Sequence, residues 1–415
     1  MARSPLDGVG SPQTRDERRA GVTLDEGWKA YLDAASRELA GAGAHAPSSF
    51  PHYSENGRWV KLPVATRSRW NGETYEHGNW TAGFWFGVMW LLALGKASAN
   101  SAQAARGRLA ALAERADDAT THDLGFLFYP SFVLGQSAGF LDSAAAEPAL
   151  RAARTLAKRF NPRGRYLQAF GALGDARSAG TSTIDTMMNL PLLWWAHART
   201  GETALADVAR AHALTSTGAF VREDGSTSHL NQFDPRSGAL VSRGTFQGAG
   251  SQSCWSRGQA WAICGFAWTY AITRELETLS AAERTAAYFW QRLPSDGLVP
   301  WDFSDNTADA AHDASASAIA ALGVLVLGAV HPDDAARRRY VDDGDRLLRA
   351  LCAHALNRGP RSDGILLHSC YSKPHNLGVN GATAWGDFFF GLVLAFATGR
   401  ITLDTMLGQT RKAEA

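Results

Sequence analysis

Two kinds of hydrophobic pattern alternate along this chain. Six segments are apolar on nearly every face: "NWTAGFWFGVMWLLALG" from Asn79, "DLGFLFYPSFVLGQSAG" from Asp123, "DTMMNLPLLWWAHARTG" from Asp185, "SRGQAWAICGFAWTYAITRE" from Ser256, "DASASAIAALGVLVLG" from Asp313 and "GDFFFGLVLAFATG" from Gly386. Each opens on one or two polar residues, and most close on a Gly, where helices commonly stop. A helix that is apolar all round has to be covered on both sides. The segments between them carry a single apolar stripe. In "SAQAARGRLAALAERA" Leu109, Leu112, Ala113 and Ala116 fall at i, i+3, i+4 and i+7. "TLDEGWKAYLDAASRELAGA", "AAAEPALRAARTLAKRF", "TALADVARAHAL", "AAERTAAYFWQRL" and "AARRRYVDDGDRLLRALCAH" are of the same kind.

Six buried helices alternating with six one-sided helices is what a double ring requires, the outer helices covering the inner. The chain is therefore predicted to be all-α, an (α/α)6 barrel or six-hairpin toroid. An open solenoid uses short, even repeats, whereas these inner segments start roughly 40 to 70 residues apart with long loops between them. In a closed ring the N-terminal ends of the inner helices meet at one mouth, which brings Trp80, Asp123, Asp185, Arg257, Asp313 and Asp387 together. The longest interruption, residues 220–257, contains "TSHLNQFDPRSGALVSRGTFQG", in which "DPRSG" reads as a turn between two short strands. A small β-hairpin inserted beside the mouth is expected to be a binding loop.

Composition narrows the function. The 415 residues show no Pro/Ser/Gly-rich linker, so one catalytic domain is expected over 1–415, with residues 1–20 as a flexible extension and about 405–415 as a flexible tail. Lys+Arg 41 against Asp+Glu 40 leaves a net charge of +1, with no basic stripe for nucleic acid. Apolar runs break well before the ~20 residues a membrane helix needs, and the N-terminus lacks the apolar stretch of a signal peptide. The expected partner is thus a small molecule, with no nucleic acid, no membrane and a cytoplasmic location; the oligomeric state stays open. Cys254, Cys264, Cys352 and Cys370 have no CxxC spacing, which suits core thiols in a reducing compartment and disfavours zinc.

Asp123 and Asp185 carry the candidate chemistry. A carboxylate just before a buried helix is either a cap or half of an acid/base pair. Fourteen Trp is a heavy load, and Trp80, Trp85, Trp255, Trp261, Trp301 and Trp385 lie near the predicted mouth. A large core uses Trp for volume, but a cluster beside paired carboxylates suits the flat faces of sugars. Asp313 and Asp387 read mainly as helix caps. His122, next to Asp123, is placed to orient water, whereas a lone histidine such as His229 in a hairpin is more often structural.

"HGNWTAGFWFGVMW", "THDLGFLFY", "IDTMMNLPLLWWA", "HLNQFDPRSG", "SCWSRGQAWAICGF" and "DASASAIAA" closely resemble the unsaturated glucuronyl hydrolases, family 88 of the glycoside hydrolases, in order from about Arg58 to Gly399. The resemblance implies an (α/α)6 barrel that removes a 4,5-unsaturated uronic acid from the non-reducing end of lyase-generated oligosaccharides. It does so by hydrating the double bond. Asp185 matches the family's proton donor and base, and Asp123 a residue important for activity. A donor carboxyl needs a raised pKa, which the like charge of Asp123 and the desolvating aromatic walls are expected to supply. Arg257, Gln247 and His229 match active-site residues, with Arg257 expected to bind the uronate carboxylate. Trp80, Trp255 and Trp261 match the aromatic walls. Some relatives grip a sulfate on the neighbouring sugar with Ser and Lys in the region of "HSCYSKPHN", making Ser369, Ser372 and Lys373 candidate contacts to a sulfate or the +1 sugar. No cofactor and no metal are needed. Two other readings of the same residues stay open: a conventional inverting glycosidase and a non-catalytic toroid that binds sugars or peptides.

Overall fold

The computed structural model describes residues 22–42, 49–64, 68–70, 73–75, 78–97, 100–307 and 309–409. The extension expected over 1–20 and the last residues, 410–415, lie outside them. Helix α1 (Leu24–Ala42) opens with a capping box: Glu26 N–H donates to the Thr23 hydroxyl, and the Glu26 carboxylate accepts from Thr23 N–H. Strands β1 (Ser49–Glu55) and β2 (Arg58–Pro63) turn at Asn56 and Gly57, whose φ of 50° and 75° is what a two-residue hairpin turn requires. Strands β3 (Ser68–Trp70) and β4 (Glu73–Tyr75) lead into α2 (Ala82–Leu94). The next one-sided pattern breaks at Gly107 into α3 (Ser101–Arg106) and α4 (Leu109–Ala113).

The second inner helix is not continuous. It consists of α5 (Leu124–Phe128), a π turn over Tyr129–Val133, and α6 (Leu134–Ser137). Pro130 has no N–H for the Phe126 carbonyl and its ring would strike it, so the ladder widens there instead of running straight. The chain continues through α7 (Ala146–Ala157), β5 (Phe160–Asn161), β6 (Tyr166–Leu167), β7 (Thr181–Thr183), α8 (Leu190–Thr200) and α9 (Thr203–Ala219). Strands β8 (Leu230–Phe233) and β9 (Leu240–Gly244) precede α10 (Ser256–Thr273), α11 (Leu276–Gln291), α12 (Ala314–Val330) and α13 (Asp334–His354). Strands β10 (Ser369–Ser372) and β11 (Leu377–Gly381), then α14 (Ala384–Ala397) and α15 (Leu403–Met406), complete it.

α2 packs on α5, α5 on α8, α8 on α10, α10 on α12, α12 on α14, and α14 back on α2. That closure makes the molecule an (α/α)6 barrel, with α1, α3, α7, α9, α11 and α13 outside the ring. The two hydrophobic patterns separate accordingly. Every residue of α12 from Ala314 to Gly328 is buried, whereas α13 buries only the stripe Tyr340, Gly344, Leu347, Leu348, Leu351 and Cys352. The inner ring is tight: a Cβ on Gly83 in α2 would lie 2.3 Å from the carbonyl oxygens of Phe126 and Leu127. Phe84, Phe126, Trp261, Phe388 and Phe389 plug its centre, with ring centroids 5.2 to 5.9 Å apart. Truncating one such ring to Ala costs about 3–5 kcal/mol. The chain is still packed beyond 405: Met406 and Leu407 are buried, and the Tyr129 hydroxyl donates to the Met406 carbonyl at 2.6 Å. No helix among the described residues is long and apolar enough to cross a membrane.

Candidate active site

A pocket of about 620 Å³ opens at the mouth of the ring, and Trp80, His122, Asp123, Asp185, Gln247, Trp255 and Arg257 all line it. Asp185 does not begin the long helix. It sits in a single 3-10 turn, Ile184–Met188, between β7 and α8. That turn is fixed from two sides. Asn189 at its end accepts the Phe126 N–H of α5 at 2.9 Å, and β8 pairs with β7 so that Thr183 faces Leu230 and Ile184 N–H donates to the His229 carbonyl at 3.0 Å. The inserted hairpin, observed as β8–β9 with its turn at Asp234–Gly238, thereby delivers His229 to Asp185: Nε2 lies 3.6 Å from Oδ2. His229 is buried behind the pocket wall, its ring packed between Phe246 and Trp255 with centroids 4.2 and 4.4 Å away.

Asp123 occupies the N-cap position of α5 but its side chain caps nothing. Its carboxylate accepts from the Thr121 hydroxyl at 3.0 Å and lies 3.3 Å from His122 Nε2, while His122 Nδ1 is 2.7 Å from the Thr186 hydroxyl. His122 thus links one carboxylate to the residue following the other. Burial pushes the His122 imidazole below its ordinary range, against the pull of Asp123 and Asp185. The expected rise at Asp185 is not what the free pocket produces. Burial does drive its carboxyl up, but the adjoining His229 and the field of His122 outweigh that and hold it below the usual carboxylate range.

Arg257 is committed to the protein. Its guanidinium donates to Asp313 at 2.6 Å, to the Cys370 carbonyl and to the Tyr371 carbonyl at 2.7 Å, with the Trp255 ring 4.4 Å and the Trp385 ring 4.9 Å from Cζ. Its charge is thus balanced by a buried partner, while the residue still lines the pocket. Asp313 is correspondingly that ion-pair partner and not a cap, accepting also from the Ser315 hydroxyl. Asp387 does not reach the mouth either: it accepts Ile365 N–H and Leu366 N–H, while Thr383 caps α14.

The aromatics divide. Trp80 and Trp255 line the pocket, and Trp385 backs Trp80 in a stack 4.9 Å apart. Trp261, expected in the wall, belongs to the central plug, wedged between Phe126 and Phe389. Trp85 faces elsewhere, and Trp301 donates to Asp305. Ser369, Ser372 and Lys373 are not among the lining residues: Ser369 and Ser372 are buried, Ser372 within 2.7 Å of His375 Nδ1, and Lys373 is exposed. The same strand instead gives Tyr371 and the following turn gives His375. His52 and Tyr53 of β1, with Phe170 and Phe246, complete the wall and escaped the sequence reading. The Asn56-Gly57 pair in "PHYSENGRWV" is the signal that reveals the β1–β2 hairpin.

The fold and its relatives agree. No family model matches the chain. It is 35% identical over 347 residues, 82% of this chain and 89% of the relative, to the unsaturated glucuronyl hydrolase of Bacillus sp. strain GL1. It is 32% identical over 322 residues, 76% of this chain and 81% of the relative, to an unsaturated chondroitin disaccharide hydrolase of Streptococcus pneumoniae. The crystal structure of the Bacillus protein matches with a TM-score of 0.82 at 32% identity, covering 90% of this chain and 96% of that one. Together these define a glycoside hydrolase on a helical toroid. The chain belongs to the unsaturated glucuronyl hydrolase family.

Proposed function

We propose that this enzyme removes the 4,5-unsaturated uronic acid from the non-reducing end of lyase-generated oligosaccharides by hydrating its C4=C5 bond, with Asp185 as acid and base. The observation that carries the reading is Asp185 in an aromatic pocket, flanked by His229 and by the His122–Asp123 pair. Protonation of C4 leaves an oxocarbenium-like cation at C5, stabilised by the carboxylate that has just lost its proton. Asp185 then takes a proton from water as the oxygen bonds to C5. The resulting hemiketal opens and expels the aglycone, so one water is consumed and the carboxyl is regenerated.

For the first step Asp185 has to be protonated, although the free pocket favours its charged form. An entering uronate supplies what is needed: it displaces water and adds a negative charge, both of which raise a carboxyl pKa. Neutral donors suit that uronate better than a free cation, because they bind it without stabilising charged Asp185. Tyr371, whose hydroxyl burial pushes up to about 12, Tyr53, and the Gln247 amide serve this role. Asp123 positions substrate hydroxyls and, through His122, the 3-10 turn of Asp185. Trp80 and Trp255 stack on the sugar faces. Four buried, unpaired cysteines support the cytoplasmic location.

Incubation with a panel of unsaturated disaccharides, followed through the ultraviolet absorbance of the conjugated bond, tests the reading. Loss of the chromophore with release of the reducing sugar is expected. Release of an intact unsaturated uronic acid would overturn it in favour of attack at the anomeric carbon.

A further inference from the structure

A second cavity, of about 410 Å³, lies on the other side of the β1–β2 hairpin. The hairpin is a partition. His52, Tyr53 and Leu62 face the active-site pocket, whereas Ser49, Pro51, Trp59 and Lys61 face this second space, so one pair of strands walls both. The size falls within the ~300–1,000 Å³ range of small-molecule sites.

Basic side chains outnumber acidic ones among the described residues that line it. Arg37, Arg58, Lys61 and Arg108 line the cavity against two carboxyls, Glu38 and Asp363. Arg58 and Asp363 already pair at 2.8 Å. Lys61, partly buried, makes no hydrogen bond or ion pair among the described residues, and its ammonium is pulled down by burial. Glu38 is only 9% exposed and likewise makes no hydrogen bond among the described residues; burial, with the charge of Asp387, drives its carboxyl well up against the pull of Lys61. The indole N–H of Trp59 is buried without a hydrogen-bond partner among the described residues. Buried polar groups such as the Glu38 carboxyl and the Trp59 indole rarely stay unmatched. The Lys61 ammonium and the Trp59 indole both donate, which is the complement of an oxyanion. Trp59 and Trp85 add flat apolar surface, with Arg108 5.0 Å above the Trp85 ring.

We infer that this cavity is a second binding site, distinct from the catalytic pocket, for a sugar acid whose carboxylate meets Lys61 and the Trp59 indole while its ring lies against the tryptophans. The inference is independent of the chemistry assigned to Asp185.

Calorimetric titration of the full chain with glucuronate, glucose and inorganic sulfate tests it, read beside the 1H–15N indole resonance of Trp59, assigned with Trp59→Phe. Glucuronate is expected to bind at two sites and to shift the Trp59 resonance, while glucose leaves that resonance in place. Lys61→Ala is expected to abolish the Trp59 shift and weaken the second site at least tenfold, with disaccharide turnover unchanged. Lys61→Arg retains both. A Trp59 resonance unmoved by glucuronate overturns the inference, as does one that moves equally in Lys61→Ala. Sulfate binding as tightly as glucuronate overturns the assignment to a sugar acid. Retained turnover in Lys61→Ala separates these outcomes from any failure at the catalytic pocket.

Discussion

His229 Nε2 lies 3.6 Å from Asp185 Oδ2, although 43 positions separate them in sequence (229 − 185 − 1), because Ile184 N–H bonds the His229 carbonyl and extends the β7–β8 ladder to the Asp185 carboxylate. The proposed acid/base group and the ring beside it are therefore positioned by one strip of backbone. Asp185→Asn is expected to leave the fold intact and lower kcat at least ~10²-fold, the scale of a lost general acid/base. In heavy water the wild type should deposit carbon-bound deuterium at C4 of the product, read by NMR. Normal turnover in the folded variant, or no label at C4, removes Asp185 from this role.

Thr245 sits behind His229. The Thr245 hydroxyl accepts Gly248 N–H at 2.7 Å and lies 3.0 Å from His229 Nδ1. Where its own proton goes to Nδ1, the imidazole proton stands on Nε2, facing Asp185. Thr245→Val should lower kcat about tenfold. It should also move the alkaline limb of the pH–rate profile to higher pH, because a lone pair turned toward Asp185 no longer stabilises its charge and the carboxyl keeps its proton longer. Thr245→Ser should restore both. A lower kcat with an unmoved limb indicates packing alone.

Arg257 and Asp313 predict stability. Removing one partner of a buried pair leaves an uncompensated charge, at a cost of about 3–5 kcal/mol. Arg257→Ala and Asp313→Ala should each destabilise on that scale in denaturant titrations. A double-mutant cycle should show the two losses to be strongly non-additive. Additive losses would mean that Arg257 is held mainly by Cys370, Tyr371 and the two indoles.

Burial pushes the Asp387 carboxyl up to about 7, against the N–H groups of Leu366 and Ile365. Its folded value exceeds the unfolded 3.8, so the stability it contributes is full below 3.8 and is lost as pH rises through about 7. Thermal melts should show a decline over that window. Asp387→Asn should flatten the slope, whatever its effect on the absolute Tm. An unchanged slope places the titration elsewhere.

The alternation of all-apolar and one-sided helices was enough to specify the double ring, since only a closed barrel covers six helices such as α12 on every side. The "DPRSG" turn gave the inserted hairpin, and the motifs around Asp123 and Asp185 gave the carboxylates. These signals are local in sequence. What the tertiary structure alone decided is pairing. Arg257 looks like a free cation until Asp313, 56 positions further on (313 − 257), is seen to neutralise it. Trp261 looks like a wall until the plug of phenylalanines encloses it. The charge state of Asp185 depends on imidazoles delivered by two other segments of the chain. A sequence shows where a residue type recurs, but the field at a carboxylate falls off over a few ångströms, and only the folded chain determines which groups come that close.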